Sequence, residues 1–147
     1  MAAFLKSLQM SREFTKGARA SFYVTLMFMG SLFWVASATG HFRMSEEVYG
    51  TQVTHLPAEW WALGMLLPAS VYIAALTING RRCWTPYVRL LCGFIISSYF
   101  SAFIWSAWPA AAGDLMVIAS ITMMLKAAIL TYIDAVELFR QWGWHDG

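Results

Sequence analysis

Four uninterrupted apolar runs, each about 20 residues long, leave this chain few ways to fold. The first extends from about Ala20 to Thr39 and holds no charge. The second extends from about Ala58 to Ile78, with Glu59 at its very start. The third, from about Leu90 to Trp108, is again uncharged. The fourth, from about Leu115 to Ala135, contains Lys126 and ends at Asp134. A hydrocarbon layer about 30 Å thick needs roughly 20 helical residues to cross it. In lipid, backbone groups must be hydrogen-bonded within their own segment, and the ten-residue alternation of a barrel strand is absent. The expectation is an all-α integral membrane protein: one four-transmembrane-helix bundle over residues 1–147, with tails at 1–19 and 136–147.

Composition agrees. Apolar types make up 59% and charged types 12% of the chain, against roughly 45–50% and about 25% in ordinary soluble domains. That excludes a disordered chain and a secreted disulfide scaffold. A net charge of +2 is too small to imply a nucleic-acid partner. Cys83 and Cys92 have neither CxxC nor zinc spacing and read as small apolar residues.

The ends of the runs carry boundary signals. Pro57 suits the first turn of the second helix, and Glu59 faces its positive pole. Asn79-Gly80 closes that helix, and Asp114 is a good N-cap for the fourth after the turn from Pro109 to Gly113. Eight basic residues (Lys6, Arg12, Lys16, Arg19, Arg81, Arg82, Arg89 and Arg140) flank one side of the four spans, and Arg43 alone flanks the other. The positive-inside rule then places both termini in the cytoplasm, in a bacterial inner membrane. Tryptophans form two belts: Trp34, Trp60, Trp61, Trp105 and Trp108 at the outer interface, and Trp84, Trp142 and Trp144 at the inner one. The rival for the first span is a signal peptide cut after Ala36-Ser37-Ala38. Residues 1–19 suit either a basic helix on the inner leaflet or a frayed tail.

Lys126 is the sequence's most informative charge, since it falls near mid-depth, where an ammonium costs on the order of 2.5–3.5 kcal/mol. Its side chain leans toward the outer side of its helix and away from the nearer cytoplasmic surface, so it is expected to point into the bundle. Matching depths across the spans gives it Ser97, Ser98 and Ser101 of the third span as partners. Ser70 of the second span, and the Gly64 carbonyl freed by Pro68, lie at the same level. Asp134 and Glu137 lie roughly 12 and 16 Å further along the axis and are expected at the inner surface beside Arg140.

Ser98, Ala102, Ser106 and Ala110 recur every four residues, a small-residue stripe that lets another helix approach closely. No nucleophile–base pair, phosphate-binding loop or metal-ligand spacing occurs, so neither catalysis nor a cofactor is expected. His41, Glu46, Glu47 and His55 in the outer loop match no metal motif. The leading expectation is a non-enzymatic membrane protein acting through helix–helix association, as an accessory subunit or by self-assembly. Its partners are the bilayer and either a second copy or another membrane subunit. The alternative is a small channel or transporter using the Lys126 pocket. A third follows from size and short loops, in which the chain resembles phage holins, and implies lytic pore formation.

Overall fold

A computed structural model describes residues 2–41, 55–78, 83–108 and 115–143, with side chains over 14–41, 55–78, 83–108 and 115–140. The expected turns at Asn79-Gly80 and 109–114, including Ala110 and Asp114, lie outside the described residues, as do Arg43, Glu46, Glu47, Arg81, Arg82 and Trp144.

Among the described residues four helices follow one another: α1 (Ala2–Ala38), α2 (Ala58–Ile78), α3 (Thr85–Ala107) and α4 (Leu115–Gly143). Each is long and apolar enough to span a membrane. All the regular structure among the described residues is therefore helical, with the layout of a multi-pass membrane protein. The basic segment expected as a separate tail is, from Ala2 onward, continuous with the first span. Gly40, at φ +75°, takes the left-handed conformation that turns the chain away at the end of α1. Its N–H bonds the Ser37 carbonyl at 3.1 Å.

α3 starts at Thr85, five residues before the apolar run suggests. Pro86 explains this, because a helix's first turn has no use for its missing N–H. The change matters because it brings Arg89 inside the helix. At the other end, the Trp108 N–H closes α3 on the Ile104 carbonyl at 3.0 Å.

Consecutive helices pack against each other, α1 on α2, α2 on α3 and α3 on α4. The direction alternates: Arg19, near the start of the apolar part of α1, meets Glu137 near the end of α4, and Trp61 at the start of α2 packs edge-on against Phe103 at the end of α3. One core joins all four helices through Phe22, Tyr23 and Leu26, Met65 and Tyr72, Ile96 and Phe100, and Ala127 and Leu130. A smaller cluster around Trp61, Phe103, Ala107 and Val117 fills the opposite end.

Helices of membrane-spanning length would gain no hydrophobic drive to associate within lipid, where close approach and dispersion hold them together. Small residues supply that approach. A methyl at Gly30 would press on Leu66 and the Ala62 carbonyl at 3.2–3.3 Å. Gly64 lies under the Tyr99 ring, whose hydroxyl donates to the Trp61 carbonyl at 2.7 Å. Large apolar side chains such as Phe28, Leu67, Phe94 and Ile129 face outward. Trp34, Trp60, Trp105 and Trp108 are exposed toward one end of the bundle, and Trp84 toward the other.

Candidate functional site

Among the described residues, charged side chains gather inside the bundle at the end where the apolar part of α1 begins and α4 finishes. α1 offers Arg19 and Tyr23, one turn apart on a single face. α2 adds Tyr72, α3 adds Arg89, and α4 adds Asp134 and Glu137 three residues apart. Arg19 is 4% exposed and Arg89 and Asp134 are each 1% exposed, whereas Glu137 is 36% exposed at the rim.

Asp134 is the hub. Its Oδ2 accepts a 2.6 Å hydrogen bond from the Tyr72 hydroxyl. Its Oδ1 lies 3.2 Å from Arg19 Nη2 and 3.8 Å from Arg89 Nη1. Glu137 repeats the pattern, with Oε2 3.0 Å from Arg19 Nη2 and 3.8 Å from Arg89 Nη2. Two guanidiniums thus face two carboxylates, and four helices meet in one neutral cluster. Charges taken out of water cost several kcal/mol each unless paired and hydrogen-bonded, so the pairing is what makes the burial tolerable.

The pairing is incomplete. Arg19 Nε, Arg89 Nε, Arg89 Nη1, Asp134 Oδ1 and the Tyr23 hydroxyl are buried without a hydrogen-bond partner among the described residues. Arg89 reaches its carboxylates only at 3.8 Å, beyond hydrogen-bond length. The Tyr23 ring stacks on Tyr72 with centroids 3.5 Å apart. Gly93 leaves room for it: a methyl there would collide with Thr131 Oγ1 and press on the Tyr23 hydroxyl. Guanidinium, carboxylate and phenol are groups that bind charge and clasp helices.

The residues chosen from the sequence fall elsewhere. Lys126 is exposed, and its Nζ lies 5.4 Å from the centroid of the Phe22 ring. The expected inward pocket around it is corrected by the helical period of α4. Ala127, Leu130 and Asp134 share the buried face, and Lys126 lies about 100° around from Ala127. A cation over an aromatic face is a modestly favourable contact. The hydroxyls assigned to that pocket serve their own helices: Ser70 bonds the Leu66 carbonyl, Ser97 that of Gly93, and Ser101 that of Ser97. Ser101 also approaches the Met124 sulfur at 3.1 Å, which brings α3 to α4 but not to Lys126.

In the small-residue stripe, Ser98 and Ala102 are exposed and Ser106 is half-buried. The placement of Arg89 in a linker and of Asp134 at the surface beside Arg140 is likewise corrected, because both side chains are in the interior. Arg140 is exposed. Among the described residues no group of His, Cys, Asp and Glu could hold a metal ion.

Fold and cluster together define a class, a four-helix chain of membrane-spanning length with an ion-paired centre near one end. Compared with known proteins, the chain matches no family, no curated protein and no solved structure.

Proposed function

We propose that this is a non-enzymatic inner-membrane protein, with both ends in the cytoplasm, that works by docking the outer face of α3 against another transmembrane helix. That helix belongs to a larger complex, with the chain as accessory subunit, or to a second copy. The observation that carries the reading is the exposure of Ser98 and Ala102. The glycines at positions 30, 64 and 93 are all taken up by contacts within the chain. Ser98 and Ala102 put two small residues on the outside, between the exposed Phe94 and Trp105, where close helix approach depends on small residues. The orientation rests on the eight-to-one split of basic residues. The transport reading loses its main support with Lys126 turned outward.

Cross-linking tests the proposal. With Cys83, the exposed native thiol, changed to Ser, Ser98→Cys or Ala102→Cys is oxidised in native membranes. Cross-linked species are expected from both positions, and a Ser98→Leu/Ala102→Leu double variant is expected to lose the association. A chain that stays monomeric and free of other proteins, whether or not the stripe is filled, overturns the reading.

A further inference from the structure

The buried cluster carries an inference that is independent of the α3 face. We infer that Arg19 and Arg89 form a binding site for a phosphate-bearing anion, in which Glu137 occupies the position of the anion's oxygen.

Geometry comes first. Glu137 Oε2 lies between the two guanidiniums, 3.0 Å from Arg19 Nη2 and 3.8 Å from Arg89 Nη2. It is held closely by one of them only. Arg89, 1% exposed, keeps Nε and Nη1 without a hydrogen bond among the described residues, and Arg19 keeps Nε. Once Glu137 leaves Nη2, each free donor of Arg89 regains it as a parallel neighbour, and such a pair is the fork that phosphate oxygens match. Asp134 is committed to the cluster's own helices: its Oδ2 accepts from Tyr72, and its Oδ1, 3.2 Å from Arg19 Nη2 and 3.8 Å from Arg89 Nη1, faces both arginines without a hydrogen bond to either. Glu137, by contrast, is part-exposed and can swing toward water as another anion enters.

Charge points the same way. Lys16 lies three residues before Arg19, and Arg140 three residues after Glu137, both exposed and both one turn nearer the end of the bundle. Four described cations there (Lys16, Arg19, Arg89 and Arg140) face two carboxylates (Asp134 and Glu137), a surplus of two positive charges. An anion arriving at this end is therefore drawn in, and its entry leaves the pair-by-pair balance around Arg19 and Arg89 intact once Glu137 turns out.

Depth favours a ligand at the membrane surface. Arg19 lies five residues inside the apolar span Phe14–Ala38, about 7.5 Å along the axis. That span is about 37 Å long, against a hydrocarbon core of about 30 Å, so with the span centred the Arg19 backbone lies roughly 4 Å inside the hydrocarbon edge, within a side chain's reach of the headgroup level. Basic pockets between helices at that level bind anionic headgroups. A lipid phosphodiester and free phosphate share the chemistry, and the two arms of the test tell them apart.

The full chain, purified in a mild detergent, is unfolded by heat while Trp fluorescence is followed. Phosphatidylglycerol, phosphatidylcholine or inorganic phosphate is added at constant ionic strength. Phosphatidylglycerol is expected to raise the midpoint by about 3–5 °C at saturating amounts, with phosphatidylcholine inert. An equal rise with inorganic phosphate assigns the site to the free anion. Arg89→Gln is expected to abolish the rise, while Lys16→Gln keeps more than half of it. Equal losses in the two variants would mean diffuse surface attraction and overturn the site. Should Arg89→Gln fail to fold, Glu137→Gln decides: removing the competing carboxylate is expected to lower the half-saturating concentration at least fivefold. No rise with either anion, in the native chain and in Glu137→Gln alike, overturns the proposal.

Discussion

The Tyr72 hydroxyl donates a 2.6 Å hydrogen bond to Asp134 Oδ2 and so ties α2 to α4 at the level where both arginines converge. Hydrogen bonds to a charged acceptor contribute about 1.5–3 kcal/mol. Tyr72→Phe keeps the ring stacked on Tyr23 and removes only the donor. It is expected to destabilise the bundle by about 1–3 kcal/mol, measured by denaturant unfolding in micelles. An unchanged stability would mean that the bond contributes nothing net.

Asp134 has a larger part than its hydrogen bond alone. Asp134→Ala leaves two nearly buried guanidiniums facing only Glu137. Breaking a buried ion pair from one side costs about 3–5 kcal/mol, because the abandoned charge is stranded. Removing the opposing charge as well is expected to return part of that loss. Arg19→Met/Asp134→Leu should therefore be more stable than Asp134→Ala by 1 kcal/mol or more, on the order of the coupling between contacting charges. A double variant worse than the single one would show that Arg19 is needed for more than neutralising Asp134.

The four spans were legible in the sequence because an apolar run of about 20 residues has one inexpensive solution in lipid. α2 begins and ends where the run does, at Ala58 and Ile78. The cluster was hidden for a different reason. Arg19, Arg89 and Asp134 each lie within about a turn of the end of an apolar run, which is also where flanking charges belong. Taken singly they read as orientation signals. Their burial depends on how each helix is rotated about its axis, and a run that is apolar all round does not fix that rotation. One signal was available: Asp134 and Glu137 share a helix face, and Arg19 and Arg89 enter from the same end of the bundle. Lys126 failed in the converse way. Its depth was plain, but its direction was set by Ala127 and Leu130 taking the buried face.

Gly93 is the position where α3 accepts both α4 and Tyr23. A methyl there would run into Thr131 Oγ1, whose hydroxyl already bonds the Ala127 carbonyl at 2.7 Å. Overpacking of this kind costs about 1–3 kcal/mol, since helices separate or side chains leave their rotamers. Gly93→Ala is expected to lower the thermal midpoint. Thr131→Ala should restore part of it, because the oxygen is removed while the Thr131 Cβ position, at 3.3 Å, remains tight. Absence of any rescue would place the strain on Tyr23 instead.

Lys126 separates the outward-facing arrangement from an inward polar pocket most directly. Lys126 is exposed, and its ammonium caps the buried Phe22 ring from the rim of the core, a contact of about 0.5–1 kcal/mol at exposed sites. Lys126→Met exchanges that contact for the removal of a cation from the apolar surface, where charge is unfavourable. The variant is therefore expected to insert and fold as well as the native chain or better, with unfolding midpoints in micelles equal or raised. In vesicles, a single-cysteine variant at position 126 in a chain lacking Cys83 and Cys92 should be quenched by lipid-borne quenchers once labelled with a fluorophore. A strong loss of stability in Lys126→Met, together with a label shielded from lipid, would return the ammonium to the interior and require α4 to be rotated by roughly 100°.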